Sequence, residues 1–350
     1  MKPCTASAPA RVDIAGGTLD IWPIYCLIGP SKTVNVALDL YAEVEVVAKS
    51  GTPFSLTISS ATNEKASFKA IPPRAELDRL PAGVRFPAWV VTSYLARLPE
   101  LPAVTLDMKF RTSAPPRSGL GGSSTLCVAL LRATARYLNT LVDQGWQLKM
   151  LEWARDVEAA FLNVPTGTQD YLAALFGGLK SYEWDLGGLT TGMYSNSVFE
   201  ALSERCMVLF SGESHDSGAS NWEIMKGAIE GKPDILKGFH AIRDIAAQVH
   251  EELESGINNW AHIGGLLNEE WRIRRELFKV NTPRLDEIIA FLNKEGVLAA
   301  KVCGAASGGS LLVLVEPGQK AKIAEKCRAQ NIQVLNTKPV NKGVFIEDLA

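Results

Sequence analysis

The order of hydrophobic patterns predicts an α+β protein of two domains, residues 1–187 and 188–350, and three observations carry this. The 350 residues are enough for two cores. The N-terminal part alternates apolar and polar positions with the period of a strand. The C-terminal part runs strand, long helices, strand, strand, helix, strand.

Within 34–47, Val34, Val36, Leu38, Leu40, Ala42, Val44 and Val46 occupy alternate positions, which is a strand with one buried face. Shorter alternations follow at 54–58 and at 104–110, where Val104, Leu106, Met108 and Phe110 share a side. Leu148, Leu151, Ala154, Val157 and Phe161 then recur at helical spacing, and Gly177–Gly178 closes the next segment. The expected boundary falls near Gly187–Gly188. Beyond it, 205–210 reads as a buried strand and 235–253 and 257–278 as amphipathic helices. The tail reads as strands 298–303, 310–315 and 332–337 around a helix at 317–330.

Composition removes several classes of function. With 47% hydrophobic and 21% charged residues the chain is an ordinary globular one, without a long disordered segment. A formal charge of -2 offers no basic field for nucleic acid. The first 17 residues lack the pattern of a signal peptide, and no apolar stretch reaches bilayer length, so a cytoplasmic enzyme without membrane contact is expected. Cys4, Cys26, Cys127, Cys206, Cys303 and Cys327 are scattered, with no CxxC pair, and read as reduced packing thiols.

The stretch APPRSGLGGSSTLCVALLRA, residues 114–133, joins a strand to a helix through a loop of Gly and Ser. Gly119, Gly121 and Gly122 let a backbone approach an anion, and the N–H groups of the next helix add the positive end of its dipole. It is not GxGxxG, because Ser124 stands at the last glycine, and it is not Walker A, because no Lys adjoins it. Neither HRD nor DFG occurs, which excludes a protein kinase. A phosphate cradle and a plain turn capped by Ser123 or Ser124 both remain open on these residues alone.

Four separated stretches, taken together, resemble the GHMP kinases, the superfamily of galactokinase, homoserine, mevalonate and phosphomevalonate kinases. They are APARVDIAGGTLDIWPIY at 8–25, PPRSGLGGSSTLCVALL at 115–131, EAAFLNVPTGTQDYLAALFGG at 158–178 and KVCGAASGGSLLVLV at 301–315. The heptose-phosphate kinase and fucokinase branches are the most similar. The resemblance implies an α/β N-terminal domain with ribosomal-protein-S5-like topology and a ferredoxin-like C-terminal domain, with the site between them. It also implies ATP- and Mg²⁺-dependent phosphorylation of a sugar or sugar phosphate. A homodimer is one state open to the chain, which these residues do not fix.

By that resemblance Asp170 is the catalytic base and Arg11 its cationic partner. ATP phosphates fall to Pro116, Ser118, Gly119, Leu120, Gly121, Gly122, Ser123, Ser124 and Thr125, and Mg²⁺ to Ser124 and Glu158. Asp20 is the substrate carboxylate, with Gly16, Gly17, Thr18, Gly304 and Gly308 around the acceptor. The chemistry is consistent: phosphoryl transfer needs a metal, donors aimed at the moving oxygens and a group that takes the hydroxyl proton.

Each residue also has a plainer reading. Arg11 pairs structurally with Asp13 or Glu43, Glu158 belongs to a solvated helix face, Asp20 is a turn residue, and 304–309 is a tight hairpin. The chain departs from heptose-phosphate kinases in reading GGTLD where they read GGGTD, which places Leu19 beside Asp20 and predicts a less polar pocket there. Tyr171 follows the catalytic Asp where they have Gln. GEHTDY of galactokinase is absent, and mevalonate kinases carry Lys where Arg11 stands. The alternatives to a sugar kinase are a kinase of a mevalonate- or homoserine-type alcohol and a sugar-sensing homologue without catalysis.

Overall fold

The computed structural model describes residues 2–138, 142–213, 217–256, 259–278, 281–304 and 309–349. Its first strands are β1 (Cys4–Ala15), β2 (Ser31–Ser50), β3 (Ser55–Ser60), β4 (Lys65–Phe68), β5 (Val104–Thr112), β6 (Leu179–Asp185) and β7 (Gly188–Met193). Then come β8 (Cys206–Phe210), β9 (Ala299–Val302), β10 (Ser310–Leu314), β11 (Gln333–Val334) and β12 (Phe345–Asp348).

One sheet has the order β12-β1-β2-β5-β3-β4, with β6 and β7 continuing from β2; its pairs are antiparallel except β3 with β5. The second, β11-β8-β10-β9, is antiparallel throughout. Its strands stand in the order fourth, first, third, second, which is the expected ferredoxin-like arrangement. The mixed N-terminal sheet with its covering helices is the expected S5-like half.

The long alternation at 34–47 is the middle of β2, and it serves two cores in succession. Val34, Val36, Leu38 and Leu40 pack with the helices and strands of the C-terminal half, whereas Ala42, Val44 and Val46 pack with the helices of the N-terminal half. The change falls at a bulge, where Pro9 faces Tyr41 but the next residue, Ala10, faces Leu38. A bulge bends its strand and raises the local twist, so one ribbon turns from one core to the other. The site lies along this turn.

The expected boundary at 187/188 falls inside the β6–β7 hairpin rather than between sheets, because β7 pairs with β6 in the first sheet. The chain also returns to that sheet at its end, where β12 pairs with β1. β7 carries no apolar alternation, since GLTTGM has two glycines and two threonines, so its membership is set by hydrogen bonding to β6. The C-terminal strand expected over 332–337 shortens to Gln333–Val334.

Candidate active site

Arg11 lies on β1 and Asp170 in the first turn of the helix Gln169–Phe176. Arg11 donates from Nε to Asp170 Oδ1 at 2.7 Å, has Nη2 2.6 Å from the same oxygen, and donates from Nη1 to Gly119 O at 2.7 Å. Neither plainer partner is taken: Glu43 pairs with Arg111 and Asp13 with Lys301. Burial pushes the Asp170 carboxyl above its ordinary value, and the Arg11 guanidinium opposes this. Asp170 also explains a glycine. Gly121 has φ +73°, and a Cβ there would lie 2.9 Å from the Asp170 carboxyl group.

The phosphate loop turns its carbonyls toward the protein. Ser118 O accepts from Ser310 N–H, Gly119 O from Arg11 Nη1, and Leu120 O from Arg11 N–H. The helix Gly122–Tyr137 follows with no side chain capping its first turn, which leaves an N-terminus free for an anion. The capped-turn reading therefore fails, since Ser124 spends its hydroxyl on Glu158. Two loop residues differ from expectation: the Leu120 side chain is wholly in the core, and Thr125 donates back to Gly121 O, so neither side chain faces the loop. Pro116 and Ser123 are exposed at its rim.

Glu158 is buried, not on a solvated face. Its Oε2 accepts from Ser124 Oγ at 2.9 Å and from Tyr171 Oη at 2.5 Å. Burial pushes this carboxyl up, which the hydroxyl groups around it oppose. A buried carboxylate served by hydroxyls, with a serine oxygen beside it at the mouth of a phosphate loop, fits Mg²⁺. That ion takes one or two protein oxygens and fills its shell with water and phosphate. Among the described residues no cluster of three or more His, Cys, Asp or Glu is arranged around a metal, which such a site does not need. Tyr171, singled out only as a departure, is thus a direct neighbour of the Glu158 carboxylate.

The acceptor side is built on Asp20, which is 3% exposed. Its Oδ2 accepts from Thr168 N–H at 2.6 Å and Gln169 N–H at 2.9 Å. Burial raises it to about 6 against these bonds, with help from the charge of Asp170. Beside it, Thr168 Oγ1 and Gln169 Oε1 are buried with no hydrogen-bond partner in the structure. A cleft of about 620 Å³ is lined by Trp22, Tyr25, Arg155, Asn163, Thr166 and Trp222 among others, and Thr166 brings it within two residues of Thr168. Leu19 does not make it less polar, because its side chain lies in the core.

Gly16, Gly17 and Gly304 are placed against protein. A Cβ on Gly16 would lie 2.1 Å from Lys32 O, on Gly17 2.7 Å from Asp13 Oδ2, and on Gly304 2.7 Å from Gly119 O. Close backbone packing explains them. Gly308 lies outside the described residues, while β9 and β10 are antiparallel on either side, as a hairpin requires.

Sequence reasoning missed four fully buried charges. Lys301 on β9 contacts Asp13 at 3.1 Å and Glu270 at 3.0 Å, and Arg274 donates from Nε to Glu270 at 3.1 Å. Two acids and two bases balance. Glu270 and Arg274 sit on the helix Trp260–Phe278 in line with buried Ile263, Leu267 and Trp271. Charged residues on an apolar stripe were the available signal.

A phosphate loop at a helix N-terminus, an Arg–Asp pair against it and a buried carboxylate near an aromatic cleft define a small-molecule kinase as the class. Comparison agrees. Residues 88–178 match the GHMP kinases N terminal domain and residues 245–333 the GHMP kinases C terminal family. The chain is 23% identical to D-glycero-alpha-D-manno-heptose 7-phosphate kinase of Campylobacter jejuni over 98% of both chains. It is 24% identical to a galactokinase of Thermotoga maritima over 91% of each. Among solved structures, a D-glycero-D-manno-heptose 1-phosphate kinase from Bacteroides thetaiotaomicron superposes with a TM-score of 0.75 at 20% identity, covering 99% of each chain. The Methanococcus jannaschii mevalonate kinase does so with 0.74 at 15% identity, covering 96% of this chain and 98% of that one. The protein belongs to the GHMP kinase family, whose members use ATP as phosphate donor, and is a phosphotransferase acting on an alcohol group.

Proposed function

We propose that this protein transfers the γ-phosphoryl group of ATP to a sugar hydroxyl, the anomeric one of a heptose phosphate or a deoxyhexose. The Arg11–Asp170 pair against Gly121 carries the reading. It sets a carboxylate beside the start of the uncapped helix, where a terminal phosphate would rest. Asp170 takes, or holds in line, the proton of the attacking hydroxyl, while Arg11 keeps the carboxylate charged and offsets charge on the moving group. Mg²⁺ held at Ser124 and Glu158 would neutralise phosphate charge. Asp20, with the unpartnered oxygens of Thr168 and Gln169, offers acceptors to the hydroxyls of a sugar, and the aromatic walls of the cleft suit the ring's apolar faces. The names of the heptose-phosphate kinases above support the same acceptor class. Division into an ATP-binding and a C-terminal half follows, with the hairpin β6–β7 kept in the first.

The test is ADP release over a panel of heptose phosphates, fucose, galactose, mevalonate and homoserine. Heptose phosphate or fucose is expected to give the highest kcat/KM. A best turnover on mevalonate or homoserine, or no acceleration by any acceptor, overturns the reading. On the best acceptor, Asp170→Asn lowers kcat by about 10²–10⁴-fold with the fold intact; unchanged turnover removes Asp170 from catalysis.

A further inference from the structure

The buried charge quartet has no part in the transfer itself, yet much of it ends on the segment that leads to Asp20. Glu270 Oε2 accepts from Gly16 N–H at 3.1 Å, and Arg274 Nη2 donates to Gly17 O and, at 3.2 Å, to Thr18 Oγ1. One Arg–Glu pair thus holds three successive residues. The middle of this grip is strained. Thr18 has φ +78°, whereas the other non-glycine residues with positive φ among those described are Asn63, Arg117, Asn163 and Asn331. Asparagine enters that region readily; a β-branched residue is an outlier there and persists only where its surroundings over-determine it. Thr18 stands at the third position of GGTLD, where GGGTD has glycine, so this chain needs an external hold that a glycine would not.

The turn that follows depends on this conformation. Leu19 N–H donates to Gly16 O and Ile21 N–H to Thr18 O, both at 3.2 Å, and between them the Asp20 carboxylate reaches Thr168 and Gln169. The other half of the quartet serves the other substrate. Asp13 Oδ1 accepts from Gly304 N–H at 2.7 Å, and Gly304 backs onto Gly119 of the phosphate loop. We propose that Arg274 and Glu270 are positioning residues for the acceptor: they hold Thr18 in the left-handed region and so set Asp20 against Thr168 and Gln169. This rests on Asp20 as the acceptor's ligand. Arginine suits the task because its planar fork reaches Glu270, Gly17, Thr18 and, at 3.3 Å, Gly304 O at once, whereas a lysine is a single point of charge.

The test varies each substrate in turn for Arg274→Lys, Thr18→Val and the double variant. Arg274→Lys keeps the charge beside Glu270. It is expected to raise acceptor KM roughly tenfold and to leave the KM for ATP within about twofold. Thr18→Val raises acceptor KM less, and the double variant is no worse than Arg274→Lys, because both changes remove the same bond. A parallel rise in both KM values, or fully additive effects, makes the pair general scaffold and overturns the proposal. Ligand-free hydrogen exchange gives a second reading: Arg274→Lys should speed exchange in 16–21 and leave 299–302 as in the wild type. Equal acceleration in both overturns it too. That measurement needs no acceptor, so a wild type that phosphorylates no sugar defeats the proposed function while the exchange result still decides on the brace.

Discussion

Asp13 and Asp20 lie on one stretch of chain, both out of solvent, and their surroundings drive them in opposite directions. Burial alone would push both up. At Asp13 the charges of Lys301, Arg11 and Arg274 overcome it, helped by the Gly304 N–H, and hold the carboxyl at about 2. At Asp20 no cation opposes it, only neutral donors, chiefly the Gln169 and Thr168 N–H groups, and the carboxyl rises to about 6. A buried carboxylate supplied with cations is part of the frame; one supplied with neutral donors keeps affinity for further hydrogen-bond donors, which an acceptor hydroxyl can satisfy. Residue type is the same in both, and environment divides the roles.

One substitution applied at both positions tests this division. Asp13→Asn leaves Lys301 and Arg274 with Glu270 alone, and uncompensated buried charge costs about 3–5 kcal/mol. Urea unfolding at pH 7.5 is expected to show that loss. Because the folded value lies below the unfolded one, the contribution of Asp13 is present above about pH 4 and fades as pH falls toward 2. A stable Asp13→Asn variant would break the comparison.

Asp20→Asn should do the reverse. A folded value of about 6 means that the native state holds its proton more tightly than the unfolded chain. Stability therefore falls as pH rises from about 4 to about 6, by roughly 3 kcal/mol, and is level above. Asparagine keeps an oxygen for Thr168 and Gln169 without the charge. The variant is expected to be more stable than wild type at pH 7.5, by about 1–3 kcal/mol, with the gap closing toward pH 4, and to bind acceptor poorly. A variant less stable at pH 7.5 would show that Asp20 is frame as well.

The same contrast explains what could be read from sequence. The phosphate loop, Arg11, Asp170, Glu158 and Ser124 were legible because each sits in a contiguous motif, and the long alternation of β2 announced a strand. The frame was not. Glu270 and Arg274 lie in EEWRIRRE, where Arg272 bonds Glu269 and Glu276 at the surface, and only position along the helix separates the inward pair from the outward ones. Lys301 stands in AAKV, with a buried partner 288 residues away. The helix Ala82–Leu95 was also missed, since it is apolar nearly all round and shows no amphipathic period. Local chemistry is written locally, and pairings across the fold are not.

The smallest effect sharpens the acceptor side. Arg155 is the one cation among the cleft residues named above, and its Nη2 lies 2.8 Å from the carboxylate of the neighbouring Asp156. A pair of adjacent residues whose carboxylate is exposed is worth little, so the guanidinium can exchange this partner for a phosphate without much loss. Arg155 lines the cleft together with Tyr25, whose hydroxyl feels the charges of both Arg155 and Asp20. Arg155→Ala is therefore expected to raise KM for a heptose phosphate roughly tenfold, and to leave KM for fucose within about twofold. Equal shifts for both acceptors would assign Arg155 to the wall of the cleft and move the phosphate, if the acceptor carries one, away from it.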